Sequence, residues 1–332
     1  MNLVRAGSGK WFDGGDVDLS ANQPGARAVL RHHGKSFHFA GRFLPHDDSD
    51  NCARLYRFCR YVDDLVDEGS KPGVAHRKVS DILIDLERGS SADPVVQDFL
   101  LLSREKGIPP EVPAQLCKGA LQDLTLTRIG SQAELLRYCY RVAGTVGLMM
   151  SRVLGASDPR ASAHAIDLGI GMQLTNIARD VMEDARRGRL YLPGKDFDSL
   201  RLAQIASGSP DARKPLRERV KQLLALAGDY YESGEKGLAY LPVRARLAIL
   251  VAARVYRSIG REIASRDYAP WRGRAVVTTR KKILIGGKAV VAFAARRRFR
   301  GPAPAHDATL HKDLGGLIGT HSRESPEYVQ EK

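Results

Sequence analysis

The chain has 332 residues, of which 43% are hydrophobic, and a formal net charge of +14 at pH 7. It contains no apolar run of transmembrane length and no apolar export signal at its start, so we expect neither a membrane span nor secretion. The four cysteines lack CxxC spacing, which argues against a disulfide framework or a structural zinc site. The positive charge favours anionic partners without choosing among nucleic acid, acidic lipid and polyphosphate substrates.

The chain divides into three parts by composition. Residues 1–21 are rich in glycine and aspartate and are expected to be flexible, and residues 296–332 are expected to be a basic, disordered tail. Between them, residues 22–295 show helical apolar stripes separated by prolines, and almost no strand signals. We therefore predict an all-α fold with a single helical domain over residues 22–295.

A helix with an acidic row is predicted over residues 55–68, "LYRFCRYVDDLVDE". At about 100° per residue, its polar side chains share one face beside an apolar stripe. These side chains are Tyr56, Arg60, Asp63 and Asp67. Aspartates at i and i+4 on a helix repel each other by roughly 0.2–0.5 kcal/mol. Taken alone, the row is typical of a solvated face with intrahelical arginine pairing.

A core helix is predicted over residues 131–155. It opens with the capping box Ser131-x-x-Glu134 and continues with apolar residues at alternating steps of four and three. Cys139 lies within this stripe, so we expect it to be a buried, reduced thiol.

The acidic arrangement recurs in residues 173–193, "QLTNIARDVMEDARRGRLYLP". Four residues with side-chain oxygens fall in one narrow sector next to an apolar stripe: Gln173, Asn176, Asp180 and Asp184. Arg179 and Glu183 fall on the opposite flank, where a solvated face is expected.

Two matching rows favour a diphosphate site with Mg²⁺ over two solvated faces. Mg²⁺ takes oxygen ligands in octahedral geometry and is commonly held by one or two carboxylates together with substrate phosphate oxygens. Nearby arginines would neutralise a leaving diphosphate.

The segment "ILIGGKAVVAFAARRRFR" (283–300) is apolar and then basic. It is too short to span a bilayer but is suited to lie on one. A last core helix with a solvated basic end explains the pattern equally well.

The sequence resembles the squalene/phytoene synthases and, within that family, is most similar to the bacterial phytoene synthases. The resemblance is carried by five ordered segments: 34–45 ("GKSFHFAGRFLP"), 55–68, 135–150 ("LLRYCYRVAGTVGLMM"), 173–193 and 255–268 ("VYRSIGREIASRDY"). It implies an all-α isoprenoid synthase fold, a single bundle of helices around a central cavity with the two acidic rows facing each other at its mouth.

The resemblance also implies roles for individual residues. The implied metal ligands are Asp63, Asp67, Asn176, Asp180 and Asp184, and the four aspartates form the catalytic set together with Arg60. Residues implied in substrate binding are Lys35, Ser36, Phe37, Gly41, Ala53, Tyr56, Gln173, Asn176, Arg179 and Tyr256, with Arg274 and Lys281 as further candidates. Two positions depart from the family pattern: Ile129 where a tyrosine is common, and Gly34 where a serine is common.

The implied reaction is the head-to-head condensation of two geranylgeranyl diphosphates, through prephytoene diphosphate, to phytoene in carotenoid biosynthesis. The implied cofactor is Mg²⁺ or Mn²⁺, and no NADPH is expected. Gly41 and Ala53 stand where bulky aromatics tend to shorten the cavity in the C30 branch, so we expect room for C20 donors. Such small residues can also serve only to let helices pack closely.

Two alternatives remain: a C30 synthase acting on farnesyl diphosphate to give presqualene diphosphate, dehydrosqualene or squalene, and a non-catalytic family member. The latter would be expected to lose its aspartates. We expect prenyl diphosphates, an anionic membrane surface and downstream carotenoid enzymes as partners, and no nucleic acid, because no recognition motif is present. The expected location is cytoplasmic, peripheral on the inner face of a membrane.

Overall fold

The structure is a computed structural model that describes residues 25–34, 40–67, 72–125, 127–295 and 305–320. The side chains of His33 and Asp67 lie outside this description. The predictions for the N-terminal residues 1–21 and for Lys35, Ser36 and Phe37 also lie outside it.

The described chain consists of helices joined by short turns, which confirms the predicted all-α fold. The helices are α1 (Ala26–His33), α2 (His46–Asp67), α3 (Pro72–Arg88), α4 (Pro94–Lys106), α5 (Glu111–Thr125), α6 (Gln132–Cys139), α7 (Thr145–Val153), α8 (Ala161–Arg186), α9 (Leu202–Ser207), α10 (Pro210–Gly237), α11 (Val243–Ala264) and α12 (Thr279–Ala295). Within the described ranges no strand occurs, and a single isolated bridge joins Arg128 and Leu190.

The predicted core helix over 131–155 is present, interrupted by one π-helical segment. Ser131 caps α6 by accepting a hydrogen bond from the backbone N–H of Glu134, whose side chain accepts from the N–H of Gly130. Between α6 and α7, Tyr140–Gly144 form a π-helix. Such segments are rare and frequently accompany functional sites.

Helix α8 is the centre of the bundle, and its residues are buried along almost its whole length. It approaches the α6–α7 rod closely because glycines lie at the crossing. A Cβ on Gly147 would lie 2.1 Å from the carbonyl oxygen of Ala165, and one on Gly169 would lie 2.2 Å from that of Ala143. These glycines therefore allow α8 to pack directly against the α6–α7 rod.

The C-terminal region was expected to be disordered from residue 296 onward, but residues 305–320 pack against the helices. His311, Leu314 and Leu317 are buried. The backbone of this stretch accepts hydrogen bonds from Tyr140 at Ile318 and from Tyr230 at Leu310. This part of the predicted disordered tail is ordered, because buried side chains and these phenols anchor a segment that has no helical period.

The four cysteines, Cys52, Cys59, Cys117 and Cys139, are buried and unbridged. Burial raises the pKa of both Cys52 and Cys117 to about 12, so both are neutral thiols. In the part of the chain that the structure describes, no helix is both long and apolar enough to cross a membrane.

Candidate functional site

An apolar cavity lies between α2, α7, α8, α10 and α11. The empty space between its walls, including the solvent at its opening, is about 1170 Å³. Its wall on α2 includes Cys52 and Tyr56, and its wall on α8 runs from Ala161 to Met172. The acidic rows begin on the same sides of these two helices, about one to two helical turns C-terminal to Tyr56 on α2 and to Met172 on α8.

The first acidic row lies at the end of α2. Asp63 and Arg60 are buried, with 8% and 5% of their surface exposed. Arg60 forms a salt bridge with Asp64, with 2.5 Å between Nη2 and Oδ1. Asp64 therefore belongs to this site, although the sequence analysis did not assign it. Burial opposes the charge of Arg60, yet Asp64 and Asp63 outweigh it and raise the pKa of this guanidinium. Arg60 is therefore held as a cation within the row.

The second row lies in the last four turns of α8. All four of its predicted members are buried: Gln173, Asn176, Asp180 and Asp184. The amide of Asn176 donates to Oε1 of Gln173 at 3.3 Å. The predicted sector thus faces the protein interior and not bulk solvent.

Asp180 is clamped by two arginines. Arg179 donates to both of its oxygens, at 2.9 and 2.6 Å, and Nε of Arg274 donates to Oδ1 at 2.9 Å. Burial alone would raise the pKa of Asp180, but the charges of Arg179 and Arg274 outweigh burial and lower it. Asp180 is therefore ionised.

The position of Arg179 differs from the sequence expectation. The helical wheel placed it on a solvated flank, whereas only 8% of its surface is exposed. The guanidinium reaches back along the helix to Asp180, because a long side chain can carry its charge away from the direction in which its Cβ points. Glu183, on the same flank, is partly exposed as expected.

Three buried tyrosines connect the two helices that carry the acidic rows. Besides burial, Tyr256 on α11 opposes the ionisation of both Tyr56 on α2 and Tyr231 on α10, which raises the pKa of each. The hydroxyls of Tyr231 and Thr175, the latter on α8, are 3.1 Å apart. Burial raises the pKa of Tyr56 and Tyr231 well above the ordinary value, so both phenols stay protonated. The sequence analysis assigned two of these three tyrosines, Tyr56 and Tyr256, to the site but did not assign Tyr231.

The small residues divide between two roles. Gly41 lines the cavity, whereas Ala53 is fully buried and is not part of the cavity wall formed by the described residues. A Cβ on Gly144 would come within 3.0 Å of Ile166, so Gly144 serves helix packing.

The two departures from the family pattern have local explanations. Gly34 is packed against Tyr56, since a Cβ at this position would lie 2.9 Å from the Tyr56 ring. Ile129 is a core residue. Nearby Asp123 accepts from the hydroxyls of Tyr191 and Tyr138, at 2.7 and 3.2 Å. Asp123 thus has two phenolic partners without a tyrosine at position 129.

Of the two further substrate-binding candidates, Arg274 and Lys281, one reaches the site. Arg274 contacts Asp180, whereas Nζ of Lys281 bonds Oε1 of Glu262 at 2.6 Å.

Comparisons with known proteins agree with this arrangement. Residues 30–281 match the squalene/phytoene synthase family model. The chain is 33% identical to a 15-cis-phytoene synthase of Pantoea ananas over 285 residues, covering 82% of this chain and 92% of that protein. It is 36% identical to a 15-cis-phytoene synthase of a Paracoccus species over 262 residues, covering 76% of this chain and 84% of that protein.

Solved structures confirm the isoprenoid synthase fold. A dehydrosqualene synthase superposes with a TM-score of 0.73 at 25% identity, covering 82% of this chain and 96% of that one. A squalene synthase from Alicyclobacillus acidocaldarius, at 21% identity, superposes with a TM-score of 0.64 over 74% of this chain and 94% of that one. The chain belongs to the squalene/phytoene synthase family.

Proposed function

We propose that this protein condenses two molecules of geranylgeranyl diphosphate head to head, through prephytoene diphosphate, to phytoene. The observation that carries the proposal is an apolar cavity whose walls on α2 and α8 both continue into buried acidic rows. Apolar space suits prenyl tails, and carboxylates beside arginines suit metal-bound diphosphates. The similarity to proteins named as 15-cis-phytoene synthases supports the C40 product.

The donor set fits a hard divalent cation, and we propose Mg²⁺, with Mn²⁺ as a substitute. Buried Asp63, Asp180 and Asp184 offer carboxylate oxygens and Asn176 offers an amide oxygen, with no sulfur or imidazole among them. We assign these residues, together with Asp67, as the ligands. When bound, such an ion neutralises diphosphate oxygens and makes diphosphate a better leaving group.

The arginines around the rows would hold the diphosphates. Arg60, Arg179 and Arg274 present guanidinium groups at the acidic ends of α2 and α8. Guanidinium groups pair with phosphate in bidentate geometry, and they retain their charge as the leaving group develops its own. We also assign Lys35, Ser36 and Gln173 to diphosphate binding.

The reaction consumes no reductant. The first C–O bond breaks to release diphosphate, and the allylic cation is attacked by the double bond of the second donor, which loses a proton as the cyclopropane closes. A second ionisation, rearrangement and loss of another proton give the hydrocarbon. Apolar walls that include Gly41, together with Phe37, would keep water from the cations. The phenols of Tyr56 and Tyr256 would line the reacting end.

A C30 synthase acting on farnesyl diphosphate is the second candidate, because the superposed structures include dehydrosqualene and squalene synthases. The fold is shared by both branches, so it does not separate them.

We further propose that α12 places the protein on an anionic membrane surface, on the cytoplasmic side. This helix exposes Ile283, Leu284 and Val291 by 57–68% of their surface. Lys288 lies beside them in the same apolar groove. An exposed apolar strip with adjacent lysines is typical of helices that lie in a lipid interface. There the insoluble product would pass to downstream carotenoid enzymes.

The test of condensation uses purified protein with geranylgeranyl diphosphate and Mg²⁺, without NADPH. We expect a hydrocarbon product that disappears with a chelator and in Asp180→Ala. Asp198→Ala, an exposed aspartate outside both rows, is the matched control and should retain activity. Turnover that persists in Asp180→Ala would contradict the assignment of the second row.

A further inference from the structure

Residues 305–320, here called the C-terminal strap, run over the side of α8 opposite the acidic row. At about 100° per residue, Asp167 lies roughly 180° around the helix from Asn176. Asp167 has no exposed surface, so its charge requires partners within the protein. Two of those partners come from the strap.

Two strap histidines bond the two oxygens of Asp167. Nε2 of His306 lies 2.7 Å from Oδ2, and Nε2 of His311 lies 2.8 Å from Oδ1. Three ligand-type side chains thus converge, but these separations are those of N–H···O hydrogen bonds. The side chains of both histidines are at most 3% exposed. The cluster is therefore a buried attachment point for the strap.

The attachment continues to the cavity through one serine. The Ser233 hydroxyl also hydrogen-bonds Asp167. Nδ1 of His164 lies 2.9 Å from the carbonyl oxygen of Ser233 and 3.0 Å from its hydroxyl. In addition, the rings of His164 and His306 meet edge to face with centroids 5.1 Å apart.

His164 lines the cavity toward the end far from the acidic rows, one helical turn from Ala161, where the wall on α8 ends. It precedes Asp180 by sixteen residues on α8, which corresponds to roughly 24 Å along the helix axis. It is pressed close to α10, because a Cβ on Gly237 would lie 2.2 Å from the Cβ of His164. Because His164 and the acidic rows lie at opposite ends of the cavity, a donor whose diphosphate lies at the acidic rows would direct the end of its tail toward His164.

We propose that the C-terminal strap, acting through Asp167 and Ser233, fixes His164 within the floor of the cavity and so sets the upper limit of donor chain length. This inference rests on the proposed prenyl-diphosphate function. A floor held by hydrogen bonds from behind excludes a longer tail, whereas a floor free to change rotamer admits one. His164 and His306 are positioning residues in this account and take no part in the chemistry.

The test measures selectivity between the C20 diphosphate and its C25 homologue, as the ratio of kcat/KM values. His306→Ala removes both the Asp167 bond and the ring behind His164. We expect this ratio to fall by about tenfold, within the range of discrimination available to an apolar pocket wall. His306→Gln keeps an N–H donor and should recover part of the selectivity. The adjacent exposed residue supplies the matched control, Asp307→Asn, which should match wild type.

A double-mutant cycle tests the route. His164→Ala alone should relax selectivity, and adding His306→Ala should change little more, because the second substitution acts through the first. Should His306→Ala fail to fold, Ser233→Ala removes a single hydroxyl of the same network and is expected to relax selectivity in the same direction.

Unchanged selectivity in folded His306→Ala and Ser233→Ala would overturn the inference, as would an equal loss in Asp307→Asn. Wild-type protein that fails to convert the C20 donor would instead overturn the proposed function. The two failures are therefore distinguishable.

Discussion

Arg274 donates from Nε to Oδ1 of Asp180 at 2.9 Å, although the two residues are 94 positions apart in the chain. Arg179 occupies the same carboxylate from the neighbouring position on α8. Asp180, which we assign as a metal ligand, is thus balanced by two guanidinium groups. A cation that approaches Asp180 must compete with them, and each released arginine becomes available to a diphosphate.

Replacing Arg274 is expected to separate cation binding from turnover. In Arg274→Gln, substrate-free protein should bind Mn²⁺ more tightly, by roughly tenfold, because an opposing charge a few ångströms away is worth about one to three pKa units. Turnover should fall, since the leaving diphosphate loses a partner. Calorimetric titration with Mn²⁺ measures the first effect.

The matched control for that experiment is Arg272→Gln, an exposed arginine in the same turn. It should bind Mn²⁺ as wild type does. Weaker Mn²⁺ binding in Arg274→Gln would show that Arg274 does not compete with the cation.

The lowered pKa of Asp180 predicts how its contribution to stability depends on pH. At a pH between the pKa of Asp180 in the folded state and its pKa in the unfolded state, the unfolded state binds more protons. The contribution of Asp180 to stability is therefore complete above the unfolded-state pKa of about 3.9, and it is lost as the pH falls through the folded-state pKa. Asp180→Asn should therefore cost about 3 kcal/mol at pH 7, as for a broken buried ion pair.

Urea unfolding from pH 8 to pH 3 checks this prediction. The stability difference between wild type and Asp180→Asn should stay constant down to about pH 4 and shrink only below it. A difference that vanishes between pH 8 and 6 would mean that another group, and not Asp180, carries the effect.

Restoring the family's serine at position 34 is expected to destabilise this protein. The added Cβ would lie 2.9 Å from both the Tyr56 ring and Leu30 Cδ1, so these side chains must move. Overpacking of this kind costs about 1–3 kcal/mol. Gly25→Ser is the control, because a Cβ there meets nothing within 4 Å. Equal urea midpoints for Gly34→Ser and wild type would exclude the packing explanation.

The α12 proposal predicts binding to vesicles that contain anionic lipid. The double variant Ile283→Ser/Val291→Ser should bind about tenfold less in a sedimentation assay, because it removes apolar area that would enter the interface. The control variant Ile84→Ser/Leu101→Ser replaces two exposed apolar residues elsewhere on the surface and should bind vesicles as wild type does. Equal loss in both variants would argue against a specific role for α12.

Local periodicity was enough to predict the helices and the two acidic rows. The spacing of Asp180 from Asp184 places both side chains on one face whatever surrounds the helix. Tertiary contacts were not predictable in this way. Arg274 reaches Asp180 from a distant turn, Arg179 bends back from the flank that faces away, and the strap has no periodic pattern that marks it as ordered. Asp64 lay beside the assigned row, but only its contact with Arg60 distinguishes it.

The most direct measurement of the central claim is a competition assay. Purified protein with Mg²⁺ and no NADPH is given equal concentrations of the C20 and C15 diphosphates, and the hydrocarbons are identified by mass. The account predicts that a C40 hydrocarbon dominates and that Asp63→Ala and Asp180→Ala both abolish it. A predominant C30 product, or no hydrocarbon from either donor, would contradict it.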